Sequence, residues 1–243
     1  MKKISLIIPA KNELESLGVV LEELRNYPSV DEIIIVVDNE SDSSIPIAKK
    51  YNCKLIIQKN SGYGSAIIEG FKNAKNEFGC IYNADYSFDP KDLNKFIKLT
   101  EKNDFIFATR YKDDSGSDDD DLITLVGNKL FSFVCRYILN IKLSDILYTY
   151  VLCNVKKFNN LNLKNKDFRL CIELPFQISQ KKYLYTEISS YERARYAGRK
   201  KVKVISDGFK ILIEIFYSIY KKYFLVKLWQ YHFFQLILKK KTC

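Results

Sequence analysis

Histidine, methionine and tryptophan each occur once in 243 residues. The lone His232 and six cysteines (Cys53, Cys80, Cys135, Cys153, Cys171, Cys243) without any Cys-x-x-Cys spacing cannot build a His/Cys zinc centre. Most of these cysteines sit in apolar runs, where a free thiol acts as a small hydrophobe, so a reduced, cytoplasmic protein is expected. The apolar run Ile4–Ile8 is too short for a signal-peptide core. In the aromatic C-terminal stretch the longest charge-free run, Leu228–Leu238, has eleven residues. A spanning helix needs about 20. Glycine is missing where a dinucleotide fold needs it: the first strand is followed by Pro9-Ala10-Lys11-Asn12-Glu13, which excludes a glycine-rich NAD-type turn. There is no internal repeat and no linker long enough to separate two independent domains.

What is present is a globular composition, 47% hydrophobic and 28% charged, which excludes disorder and a disulfide-stapled mini-protein. The net charge of +10 is unevenly placed: residues 181–243 hold 15 Lys+Arg against 4 Asp+Glu. The remainder is nearly neutral.

Over the first 110 residues, short apolar runs alternate with helical patterns. Strands are expected at Ile4–Ile8, Glu32–Val37, Lys54–Gln58, Phe78–Asn83 and Phe105–Thr109. Helices are expected at Glu13–Arg25, Ser44–Tyr51, Gly64–Lys75 and Pro90–Thr100. This alternation is the signature of an α/β fold with a mostly parallel central sheet flanked by helices. Lys112–Asp121 (KDDSGSDDDD) reads as an exposed acidic loop, Gly127–Leu139 as a helix, and Asp167–Lys181 as a helix interrupted near Pro175.

Ligands of such sheets bind beyond the carboxyl ends of the strands. Asp38 ends the second strand, where it can accept hydrogen bonds from a ribose or a base, or cap the helix from Ser44. Asn60-Ser61-Gly62-Tyr63-Gly64 opens a helix whose amides can approach a phosphate, or is a simple turn. Asp85, just past the fourth strand, can hold Mg²⁺ or Mn²⁺, hard cations bound through one or two carboxylates and substrate phosphates. Asp89-Pro90 reads as a helix cap.

In order, these segments resemble the family 2 glycosyltransferases of the GT-A fold, most closely the polyprenyl-phosphate sugar transferases of the dolichol-phosphate mannose synthase type. The resemblance is carried by Pro9-x-x-Asn12-Glu13, Val36-Val37-Asp38-x-x-Ser41-x-Asp42, Asn60-x-Gly62-x-Gly64, Asn83-Ala84-Asp85 and Thr109-Arg110-Tyr111. It continues through Gly127-Asn128, Ser144-Asp145 and Arg195-x-x-Gly198 with Lys200-Lys201, covering roughly residues 3–203. It implies a GT-A domain over 1–205 and inverting transfer from a nucleotide-sugar donor. Pro9, Asn12, Glu13, Asp38, Asn60 and Gly64 would surround the donor, with Lys11 beside them. Asn83, Asp85 and Ser87 would form the site for Mg²⁺ or Mn²⁺. Arg110, Arg195 and Lys201 would lie near a donor diphosphate or an acceptor phosphate. Two positions depart from the family: Asn83 stands where an Asp is usual, and Tyr148-Thr149-Tyr150-Val151 lacks an acceptor-side arginine.

A hydroxyl acceptor needs a general base, whereas a lipid phosphate is already an anion. Glu173 is the candidate base, or alternatively a salt-bridged helix residue. Residues 206–243 form an amphipathic, basic helical extension rich in aromatics. It suits a membrane interface, or docking on the catalytic domain, rather than nucleic acid, for which no recognition module is visible. The sequence thus predicts an enzyme peripheral to the cytoplasmic face of a membrane with a lipid-linked acceptor. A soluble or polysaccharide acceptor and a non-catalytic nucleotide-sugar binder are the alternatives.

Overall fold

The computed structural model describes residues 2–119, 122–198 and 204–225. Strands β1 (Ile4–Ala10), β2 (Val30–Val37), β3 (Lys54–Ile57), β4 (Phe78–Ile81) and β5 (Phe105–Thr109) alternate with helices α1 (Leu17–Leu24), α2 (Ile45–Lys50), α3 (Tyr63–Lys72) and α4 (Asp92–Leu99). After these come β6 (Gly116–Ser117), α5 (Leu122–Ile138), β7 (Val151–Asn154), α6 (Val155–Asn159), α7 (Leu170–Gln180), β8 (Tyr185–Ser189), β9 (Tyr191–Glu192) and α8 (Val204–Tyr220). A π-helical turn, Lys221–Leu225, closes the described chain.

The sheet runs in the order β3-β2-β1-β4-β7-β5-β8. All neighbours are parallel except β7, which lies antiparallel between β4 and β5 with Gly79 and Phe105 both opposite Cys153. Side chains of a strand point alternately to opposite faces, so Ile7, Ile34 and Val36 join one core layer while Leu6, Ile8, Ile35 and Val37 join the other. Helices α1, α2 and α4 cover the second layer; α3, α5, α7 and α8 contribute to the first. The near-continuous apolar strands are therefore buried on both sides, as the sequence pattern requires.

Three expectations are corrected. The helix around Pro175 is not interrupted there: α7 runs through it, with the proline ring buried. The helix expected from Gly127 begins five residues earlier, at Leu122. The acidic segment is not simply a solvated loop, because Gly116–Ser117 pairs with Tyr191–Glu192 and Asp118 accepts a 2.6 Å hydrogen bond from the Tyr191 hydroxyl. Of the C-terminal extension, α8 and the turn to Leu225 are helical; Trp229, His232 and the remainder lie outside the described residues.

Candidate active site

A cleft of about 420 Å³ opens beyond the carboxyl ends of β1, β2 and β4. The strands deliver Pro9 and Ala10 from β1, Asp38 just past β2, and Asn83 and Asp85 past β4. Gln58 from the end of β3 and Arg195 from the segment after β9 complete the polar wall. The far end is lined by Thr124 and Asn128 of α5, by Asp167 and Phe168, and by Val204, Asp207 and Ile211 of α8.

Asp38 accepts hydrogen bonds from Lys11 Nζ at 2.9 Å and Gln58 Nε2 at 2.7 Å. A hydrogen bond from the Ser61 hydroxyl, then those from Lys11 and Gln58, lower its pKa to about 2 against the opposing cost of burial, so it is a fixed anion at neutral pH. Asp38 does not cap α2, whose N-cap is Ser44; the nearby Asp42 carboxylate instead takes the Ser44 amide at 2.9 Å and the Asn12 amide at 3.1 Å. Asp38 is left to the cleft.

Asp85 is held at both oxygens. Its Oδ1 accepts the Ser87 amide at 3.1 Å and hydroxyl at 2.7 Å, while Oδ2 lies 2.8 Å from Arg195. Arg195 also reaches Asp119 at 3.3 Å, which brings the acidic segment to the cleft wall. Asn83 donates through Nδ2 to Ser87 at 3.2 Å, so its carbonyl oxygen is the group it can offer a cation. Among the described residues no three His, Cys, Asp or Glu side chains gather as a metal cage. One cleft-facing carboxylate beside an amide carbonyl fits a hard cation that keeps waters and arrives on a diphosphate. Ser87 is fully buried and spends its hydroxyl on Asp85, so it orients the carboxylate rather than serving as the expected ligand.

Several other candidates are placed differently from expectation. Asn12 lies off the cleft lining with φ 54°, accepting the Ser43 amide at 3.4 Å. Asn60 accepts from Lys166 Nζ at 2.7 Å. A Cβ on Gly64 would stand 2.4 Å from the Asn165 carbonyl oxygen. The Ser65 amide bonds the Lys166 carbonyl at 3.0 Å. The Asn60–Gly64 turn therefore packs against residues 165–167, while Gly62 and Tyr63 line the cleft. Arg110 lines the cleft, but its guanidinium is buried between Asp145 (2.7 Å) and Glu192 (2.9 Å). Held there with its side chain only 6% exposed, against 21% for Arg195, it anchors the cleft floor.

Glu173 does not reach the cleft. Its carboxylate accepts the Lys164 amide at 3.0 Å and the Asn165 amide at 2.8 Å, and it is 4% exposed. This geometry replaces the reading as a general base: the residue fastens the 164–165 bend to α7. Lys201 lies outside the described residues. Pro9, Glu13, Asp38, Asn83, Asp85, Arg110 and Arg195 are thus the candidates the fold brings together.

The sequence reading missed Gln58, Asp167 and Asp207, and left Asp119 in an acidic loop read as a solvated surface run. Gln58 had a usable signal as the first polar residue after the β3 apolar run. Asp167 and Asp207 had none, because their approach depends on long-range packing of 164–168 and α8. Cys171 also lines the cleft, but burial pushes its thiol up to about 12, so it is no nucleophile.

The Glycosyl transferase family 2 profile matches residues 5–161. The chain belongs to glycosyl transferase family 2. Its relatives in the family include a dolichol-phosphate mannosyltransferase of Pyrococcus furiosus, 31% identical over 117 residues, covering 45% of this chain and 33% of that protein. An undecaprenyl-phosphate 4-deoxy-4-formamido-L-arabinose transferase of Photorhabdus laumondii is 28% identical over 121 residues, 45% of this chain and 37% of its own length. The chain therefore spans less than half the length of these relatives, which are of the polyprenyl-phosphate type that the motifs resemble. Among solved structures, glucosyl-3-phosphoglycerate synthase from Mycobacterium tuberculosis, crystallised with Mn²⁺, UDP and phosphoglyceric acid, matches with a TM-score of 0.71 at 11% identity. That match covers 90% of this chain and 78% of the other, and makes the fold GT-A.

Proposed function

We propose that this family 2 protein transfers a sugar, with inversion, from a UDP- or GDP-sugar to a lipid-linked acceptor at the cytoplasmic face of a membrane. The observation that carries the donor half is the convergence of Asp38, Asn83, Asp85 and Arg195 in one cleft beyond the strand ends. Asp38, ionised and pinned by Lys11 and Gln58, receives the nucleoside; Pro9 and Glu13 wall it in. Asp85 and the Asn83 carbonyl would hold Mg²⁺ or Mn²⁺. A bound cation of this kind neutralises charge on the departing diphosphate. Arg195, already at the Asp85 carboxylate, places a guanidinium beside that leaving group. Lys201, which the family resemblance assigns to the same phosphates, is retained in this proposal on that resemblance alone.

The acceptor half rests on two features. First, the carboxylates lining the far end are paired, Asp167 with Arg169 at 2.9 Å and Asp207 with Lys210 at 3.2 Å. That suits an acceptor phosphate, which needs no base. Second, α5 and α8 pack together beside the cleft mouth and turn apolar faces outward. Leu122, Val126, Phe133 and Tyr137 on α5, and Ile205, Phe209, Phe216 and Tyr220 on α8, are exposed. Such a patch, with α8 belonging to the strongly basic stretch 181–243 of the sequence, suits an anionic bilayer surface. The domain of residues 1–205 would then carry the chemistry, and 206–243 the membrane contact. Among the described residues no helix is long and apolar enough to cross a membrane.

The test is transfer of labelled sugar from UDP- and GDP-sugars to polyprenyl phosphate in anionic vesicles, beside soluble saccharide acceptors. Labelled lipid formed only with vesicles supports the reading. Product formed only on soluble acceptors overturns the acceptor half, and no transfer despite nucleotide binding favours a non-catalytic binder.

A further inference from the structure

We propose that Arg193 is a positioning residue for the Asp85 loop, an inference that rests on the donor-site reading above. Arg193 does not line the cleft, yet it is wired to the loop that does. Four consecutive carbonyls, Asp85 to Phe88, all accept hydrogen bonds from residues 193–196. Tyr196 N bonds the Asp85 carbonyl at 3.0 Å, Arg193 Nε the Tyr86 carbonyl at 3.0 Å, Arg193 N the Ser87 carbonyl at 2.8 Å, and Arg193 Nη2 the Phe88 carbonyl. Three of the four come from one residue. The guanidinium also lies 3.7 Å from the centroid of the Tyr86 ring, and grips the Glu23 carboxylate of α1 at 2.8 and 3.0 Å.

What this clamp holds is a strained turn. Tyr86 has φ 76°, a left-handed conformation that an aromatic side chain adopts only when its surroundings impose it. The residue before it is Asp85 and the one after is Ser87, whose amide and hydroxyl aim the Asp85 carboxylate. Two residues beyond Arg193 stands Arg195, 2.8 Å from that same carboxylate. The clamp thus fixes both the turn that presents Asp85 and the segment after β9 that presents its cationic partner. Only a planar guanidinium can do this, because it supplies several donors in a rigid fork while a lysine ammonium supplies a single point.

The test uses the full chain as wild type, Arg193→Lys and Glu23→Gln. Titration with UDP and GDP, with and without Mn²⁺, is read beside hydrogen exchange of residues 83–90, at a temperature where each variant retains native circular dichroism. For Arg193→Lys we expect at least ten-fold weaker nucleotide binding, loss of most of the Mn²⁺ enhancement, and faster exchange confined to that loop. Glu23→Gln, which keeps the carbonyl bonds, should shift binding less than three-fold. A wild-type Kd and Mn²⁺ ratio in Arg193→Lys overturns the proposal, whatever its melting temperature. If Arg193→Lys does not fold, Glu23→Lys carries the test, because a cation facing the Arg193 guanidinium would push it off the Tyr86 and Phe88 carbonyls: nucleotide binding and loop exchange both unchanged from wild type overturn the clamp, and faster exchange at residues 83–90 with weaker binding supports it. Wild-type protein that binds neither nucleotide overturns the donor-site reading itself, and the proposal with it.

Discussion

Replacing Glu173 separates a catalytic carboxylate from a structural one. The side chain is 4% exposed and accepts the amides of Lys164 and Asn165, with Gln177 Nε2 at 3.4 Å. Glu173→Leu strands two partly buried amide donors, at about 1–3 kcal/mol each, for a loss of roughly 2–6 kcal/mol. In a chain of this size each kcal/mol lowers Tm by about 2–4 °C, so the drop should be about 4–24 °C. Glu173→Gln keeps an acceptor oxygen for the amides and should cost about 1 kcal/mol, with sugar transfer largely intact. Differential scanning calorimetry on both variants, beside an initial-rate assay, makes the measurement. A Glu173→Gln protein with wild-type Tm and turnover abolished would refute the reasoning, because only a base at the reacting centre behaves so.

Two further outcomes follow from the same geometry. Asp38 has a folded pKa of about 2, below its ordinary value of 3.8, so it stabilises the fold above pH 4 and that contribution is lost as pH falls from about 4 to 2. The linkage amounts to about 2 kcal/mol, and acid unfolding of Asp38→Asn should lack that part of the pH dependence between these values. Among the glycines, Gly62→Ala should fail to fold stably: its φ is +127° and its Cβ would meet the Lys166 carbonyl oxygen at 2.2 Å. Gly127→Ala, inside α5 with nothing within 4 Å of its Cβ, should gain about 0.5–1 kcal/mol in chemical denaturation.

The parallel half of the fold was legible because β1, β2, β4 and β5 are buried on both faces and therefore read as apolar runs. Phe105–Thr109 matches its expected bounds. β7 and β8 were not legible. Val151–Asn154 is four residues in a long apolar stretch, and its antiparallel place between β4 and β5 depends on pairing with residues some 50 to 75 positions upstream. In β8 only Ile188 is buried, because it is the edge strand. The same division holds at the site. Asp38 and Asp85 were found by their position after apolar strands. Arg110, Ser87 and Glu173 were recognised as polar residues in suggestive places, but what each touches is decided by partners far away in sequence: Asp145 and Glu192 for Arg110, and a bend at 164–165 for Glu173. Residue type marks where chemistry is possible; tertiary partners decide whether the group is free to perform it.

The central claim is a metal-assisted nucleotide site built on Asp38 and Asp85. Isothermal titration of the purified chain with UDP and GDP, with and without Mn²⁺, beside Asp38→Ala and Asp85→Ala, tests it most directly. Micromolar binding of one nucleotide is expected, strengthened by Mn²⁺, with the enhancement gone in Asp85→Ala and binding weakened in Asp38→Ala. A folded wild-type protein that binds neither nucleotide, with or without metal, would contradict it.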